Sequence, residues 1–100
     1  MARLQVSEAI LLAPSEWLYH YLLGLVEQAD GNFDRARESL ETAVRLNPSA
    51  VDALNRLGNL AMARQDYTEA VRQFKKASQL KPRERAYQQN LKTAERLAGR

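Results

Sequence analysis

The chain has 100 residues, 45% of them hydrophobic, a size and composition that suit a single folded domain and exclude a disordered or low-complexity chain. Fifteen Lys/Arg stand against twelve Asp/Glu, a net charge of +3, and there is one histidine and no cysteine. Disulfides, thiolate metal sites, a cysteine nucleophile and a multi-histidine zinc site are thereby excluded, while the redox compartment stays open.

In chain order, apolar residues three and four apart predict helices over residues 2–13, 15–29, 33–46, 50–63, 67–80 and 84–98, and no segment alternates as a strand would. Starts are marked by Ser15, by Ser49 with Asp52 three later, and by Asp66 with Glu69 three later, whose oxygens can accept from free first-turn N–H groups. Pro14, Pro48 and Pro82 punctuate the connections, because proline cannot continue a helix that precedes it. Gly24 is the exception to good helix chemistry. A glycine there costs about 1 kcal/mol relative to alanine, so its position must require the absence of a side chain.

The pattern repeats. Leu23-Gly24 recurs as Leu57-Gly58, Phe33 as Tyr67, Ala36 as Ala70, Leu40 as Phe74, Ala43 as Ala77, Leu46 as Leu80 and Pro48 as Pro82, each 34 residues on. One step back reaches Ala2, Ala9, Leu12 and Pro14, and one step forward reaches Leu91 and Ala94. Leu-Gly, Ala-x-x-x-Leu/Phe, Ala and Pro at this interval resemble the tetratricopeptide repeat, a helix-turn-helix unit. The resemblance implies an all-α fold, a right-handed superhelix of antiparallel hairpins. It divides a single domain of residues 1–100 into the second helix of a partial repeat (1–14), repeats over 15–48 and 49–82, and a capping helix over 83–100. Two departures stand out: His20 and Leu54 replace the tryptophan typical of the first helix, with Trp17 one turn earlier, and the turn glycine is Gly31 in the first copy but Gln65 in the second.

Folded back as hairpins, Gly24 and Ala36 should meet where two axes cross, and Gly58 and Ala70 should repeat that contact. Ala43 and Ala77 would do the same against the following helix. Lys92 occupies the third glycine slot, which suits a terminal helix with a wettable face. At the other end 17 of the first 26 residues are hydrophobic, and Leu4 and Leu11 replace the Glu38 or Arg72, and the Arg45 or Gln79, of later copies. Either the chain is a fragment of a longer array, or this face docks on a partner or on a second copy.

Little in the sequence carries chemistry. His20 is the one candidate base, no serine stands at a spacing that pairs with it, and Gly24, Gly31, Gly58 and Gly99 form no phosphate-cradling cluster, so no enzymatic activity and no cofactor are expected. The halves differ in charge: residues 1–50 hold four Arg against seven Asp/Glu and residues 51–100 hold eleven Lys/Arg against five. Arg72, Lys75, Lys76, Lys81, Arg83 and Arg85 make a local basic excess that invites an RNA reading, although three of them lie on a helix expected to face outward. No apolar run reaches the roughly 18 to 20 residues of a membrane span, and a soluble, cytoplasmic chain is expected.

The resemblance implies that first helices line a concave groove. Its variable inward positions fall on Leu18, Tyr21, Leu25 and Gln28, on Asp52, Asn55, Asn59 and Met62, and on Gln89 and Thr93. That makes the groove apolar at one end and amide-rich in the middle, a lining suited to an extended peptide. Some family members clamp the carboxylate tail of heat-shock chaperones with two lysines, two asparagines and an arginine. Asn59 and Asn90 fall on the asparagine positions, but Asn55 stands where the first lysine belongs. The expected function is a noncatalytic protein-interaction module, an adaptor or assembly scaffold with a protein or peptide partner; the alternative is an architectural or self-associating segment with no peptide ligand.

Overall fold

The computed structural model describes residues 2–99, with the side chains of Ala2 and Arg3 left aside. Met1 and Arg100, the outer ends of the expected 1–14 and 83–100 segments, and the Ala2 side chain that begins the 34-residue series lie outside the described residues. The described residues form α1 (Ala2–Leu12), α2 (Trp17–Ala29), α3 (Phe33–Leu46), α4 (Val51–Ala63), α5 (Tyr67–Leu80) and α6 (Arg85–Ala98), with no strand among them. The chain divides into two compact units, one reaching to Ala53 and the other starting at Leu54, so the division falls inside α4.

In the first unit α1 packs on α2 and α2 on α3, and the interior is built from Ala36, Leu40 and Ala43, none with any exposed surface. Here the crossing differs in one respect from the small-against-small contact expected of Gly24 and Ala36. A Cβ added at Gly24 would lie 2.8 Å from both Cγ and Cδ2 of Leu40, and only then 3.4 Å from the Ala36 carbonyl oxygen. The glycine is needed because a large side chain from α3 lies across it.

The second unit repeats the device with a larger occupant. A Cβ at Gly58 would fall 2.6 Å from Cδ1 and 2.7 Å from Cζ of Phe74, a ring that is 1% exposed and has nowhere to retreat. Phe74 gathers Ala61, Ala70 and Ala94 into one buried cluster, with Met62, Val71 and Leu91 packed around it. α5 packs on α6, and Ala77 is fully buried.

The connections obey the same 34-residue step. The Glu16, Ala50 and Glu84 N–H groups donate to the Ala13, Asn47 and Lys81 carbonyls at 3.1, 3.0 and 3.1 Å, closing three β-turns with Pro14, Pro48 and Pro82 second in each. Proline's fixed φ favours that place. The turns correct the expected caps: Ser15 and Ser49 sit third in the turn, so α2 begins at Trp17 with Glu16 as an N-cap whose side chain makes no capping bond, and α4 begins at Val51. The Ser49 N–H donates instead to Asn47 Oδ1 at 3.1 Å. Asp66 does cap α5, accepting from the Glu69 N–H at 3.3 Å.

The tight turn inside each hairpin is left-handed at its centre. Gly31 has φ +82°, and Gln65, 34 residues later, has φ +62°. The Asn32 and Asp66 N–H groups reach back to the Glu27 and Ala61 carbonyls at 2.8 and 2.9 Å, so the backbone closes identically whatever the residue. Asn32 also donates from Nδ2 to Oε2 of Glu27 at 2.9 Å, giving that 5%-exposed carboxylate a hydrogen-bond partner.

Two stability outcomes follow. Gly58→Ala gains about 1 kcal/mol of helix propensity but overpacks a rigid ring, a penalty of about 1–3 kcal/mol, and should lower Tm in thermal unfolding by more than Gly24→Ala, where the obstacle is an aliphatic branch. Gln65→Gly removes a left-handed penalty of about 1–2 kcal/mol against a smaller entropic cost; circular-dichroism melting should show Tm raised by about 4–8 °C per kcal/mol gained.

Candidate interaction surface

Helical spacing alone places Leu18, Tyr21, Leu25 and Gln28 on one face of α2. In the structure Leu18 is 42% exposed, and the other three are half-buried. Tyr21 is steadied by Trp17 one turn earlier, ring centroids 6.1 Å apart and planes tilted by 50°. The Gln28 Oε1 is buried with no hydrogen-bond partner. Leu22 adds further apolar surface at 37% exposure, and Asp52 at the start of α4 is exposed. The first unit therefore presents an apolar and aromatic patch along α2.

The second unit presents amides. Asn59 on α4 and Gln89 on α6 are exposed; Asn55 and Thr93 are half-buried. Met62 is also half-buried and packs against the Phe74 cluster, so part of its side chain serves the interior. The structure brings Asn55 of α4 and Asn90 of α6 into polar contact: Asn90 Nδ2 donates to Asn55 Oδ1 at 3.1 Å. Asn90 is not among the inward positions that the family pattern marks on α6. The resemblance marks it as one asparagine position of the carboxylate clamp, and the packing of two helices turns it toward Asn55. This bond uses one N–H of Asn90 and the carbonyl of Asn55, both half-buried.

His20, the one candidate base, is half-buried and committed: Nε2 lies 2.7 Å from the Pro14 carbonyl, which only accepts, so Nε2 carries the proton. This bond ties the Pro14 turn to α2. Among the described residues no group of three or more His, Asp or Glu is placed to hold a metal ion, and no helix is long and apolar enough to cross a membrane.

The tetratricopeptide-repeat family profile matches residues 21–85, nearly two thirds of the chain. The chain belongs to the tetratricopeptide repeat family, a class of helical-hairpin protein-interaction modules. Solved structures agree on the fold. The MamA protein superposes with TM-score 0.89 at 21% identity over 97% of this chain and 53% of its own. The first tetratricopeptide domain of Spaghetti (RPAP3), solved bound to the HSP90 peptide SRMEEVD, gives 0.86 at 19% identity over 95% and 75%. The Sgt2 domain from Aspergillus fumigatus gives 0.80 at 25% identity over 91% and 62%. The chain thus spans about half the length of the MamA chain. No curated protein matches it in sequence.

Removing the Asn55–Asn90 contact should cost little stability but do so cooperatively. In a double-mutant cycle of Asn55→Ala and Asn90→Ala, the coupling measured by denaturant unfolding should be about 0.5–1.5 kcal/mol, with most of the loss present in either single variant.

Proposed function

We propose that the chain is a noncatalytic adaptor or assembly scaffold that holds an extended segment of a protein partner on the inward side chains of its first helices. The observation that supports this is the Asn55–Asn90 pair: side-chain amides both donate and accept, the chemistry that complements a peptide backbone's C=O and N–H. Exposed Asn59 and Gln89 extend the same chemistry. In the first unit Leu18, Tyr21 and Leu25 suit an apolar side chain of the partner, with Tyr21 held in orientation by Trp17. In the second unit the amides suit a peptide backbone; in the first the apolar patch suits side chains.

A second reading takes its interest from the peptide-bound relative, whose ligand ends in Glu-Val-Asp. Asn59 and Asn90 stand on the asparagine positions of a carboxylate clamp, yet Asn55 occupies the first lysine's place and its carbonyl is engaged by Asn90. A carboxylate there meets amides in place of a charge-assisted ammonium partner, and internal or neutral segments are favoured over acidic tails. For RNA, the exposed Arg72, Lys75 and Lys76 lie on α5, a second helix, with Arg72 paired to Glu69. They supply charge without an accompanying stacking platform.

Partners captured from an extract provide the test. Tyr21→Ala combined with Asn59→Ala should weaken the captured partner's binding by about 10- to 100-fold in calorimetry while leaving Tm within a few degrees. Undiminished binding by the folded double variant would refute the groove reading and leave the architectural alternative. A peptide ending in Glu-Glu-Val-Asp should bind more weakly than millimolar, and loss of binding with rising salt to a generic RNA would mark that rival instead.

A further inference from the structure

The basic excess of the second unit has an internal control within the same chain. Arg72, Lys75, Lys76, Lys81, Arg83 and Arg85, all exposed, stand one 34-residue step after Glu38, Glu41, Thr42, Asn47, Ser49 and Val51. The first copy builds the same helix and the same proline turn from two carboxylates and no cation, so the repeat itself has no need of these charges. Arg72 and Lys76 also work against α5, because like charges four residues apart disfavour a helix. An anionic partner turns that repulsion into attraction.

We propose that these cations form a second docking surface, for an acidic segment of a protein partner that seats one apolar side chain beside Leu80. Arg72, Lys75 and Lys76 share one face of α5 with Gln79, opposite the buried Ala70, Phe74 and Ala77. That row runs into the Pro82 turn, where Leu80, Lys81, Pro82, Arg83 and Glu84 line a shallow depression of about 330 Å³. Leu80, 40% exposed, and Pro82 give the depression apolar area, and Lys81 and Arg83 outnumber its one carboxylate, Glu84. Its shape is fixed from α6: Gln88 Nε2 donates to the Pro82 carbonyl at 3.2 Å, and the Glu84 N–H closes the turn on the Lys81 carbonyl at 3.1 Å. Nine residues of helical rise from Arg72 to Lys81 are about 14 Å, the reach of about four residues of extended chain. Charge complementarity calls for an anion, and the apolar area selects its kind. Phe74 is buried and Tyr67 and Tyr87 are half-buried, so among the described residues the second unit has no exposed ring on which a base could stack. An acidic peptide uses both the cations and Leu80.

The probe is a fluorescein-labelled, C-terminally amidated peptide, Asp-Glu-Glu-Leu-Glu-Asp, titrated with the chain and read by anisotropy at about 50 mM salt. Binding should show a Kd of about 10–100 µM and weaken about five- to tenfold at about 300 mM salt. Lys75→Gln combined with Lys76→Gln should weaken it about three- to tenfold. Arg35→Gln combined with Arg45→Gln removes the same charge from the first unit and should change affinity less than twofold. All four positions are exposed, so helical circular dichroism should be unchanged in both variants. Replacing the peptide's leucine by glycine should weaken binding about three- to tenfold. No binding at about 1 mM chain overturns the proposal, as does an equal loss from the two pairs of substitutions or a glycine peptide that binds as tightly. Tighter binding of an oligouridylate of equal charge also overturns it and marks a nucleic-acid surface instead. The inference does not depend on the groove: the Tyr21→Ala, Asn59→Ala double variant should bind the acidic peptide as the original chain does.

Discussion

One contact organises each hairpin: a glycine on the first helix lies beneath a large side chain from the second. Gly24 under Leu40 and Gly58 under Phe74 are the same interlock, 34 residues apart. Each sacrifices helix propensity for depth of approach, and the bargain closes because Leu40 and Phe74 bury almost completely. Every other feature of a unit takes its position from this depth. Ala36, Ala43, Ala70 and Ala77 are small because the helices have already come close, and the first helix's opposite face is left outward for other uses.

The turns carry the interlock from copy to copy. Proline in the second place of each β-turn ends one hairpin at a fixed point, and a left-handed residue reverses the chain within each hairpin. Gln65 shows that the backbone closure is stronger than the residue preference: the bond from the Asp66 N–H to the Ala61 carbonyl is kept although glutamine fits the conformation poorly. Side-chain capping is correspondingly light. Asp66 caps α5, whereas Glu16 and Glu84 make no side-chain cap, because the preceding proline turns already set where α2 and α6 begin.

What the interlock leaves outside differs between the units. Seven of the eight large hydrophobic side chains exposed among the described residues, Leu4 to Leu46, belong to the first unit, and only Leu80 to the second. The second unit presents amides and cations instead. The two units thus differ in surface chemistry, and among the described residues no group of three or more His, Asp or Glu is placed to hold a metal ion.

Most of the architecture was legible in the sequence. Helix-period spacing put α3 and α5 at their observed bounds, and the 34-residue step identified the paired glycines, because helix formation and turn chemistry are local properties written in contiguous residues. Where the reading went astray, at Ser15 and Ser49, a local signal was overruled by a stronger local one, the proline turn. Contacts between residues distant in the chain were decided only by tertiary packing. It put Leu40 and Phe74, in place of Ala36 and Ala70, nearest the glycines, and it turned Asn90 toward Asn55. A one-dimensional pattern records which face a residue occupies, but which side chain fills the space opposite depends on how closely two helices approach, and that distance is set by all the side chains between them at once.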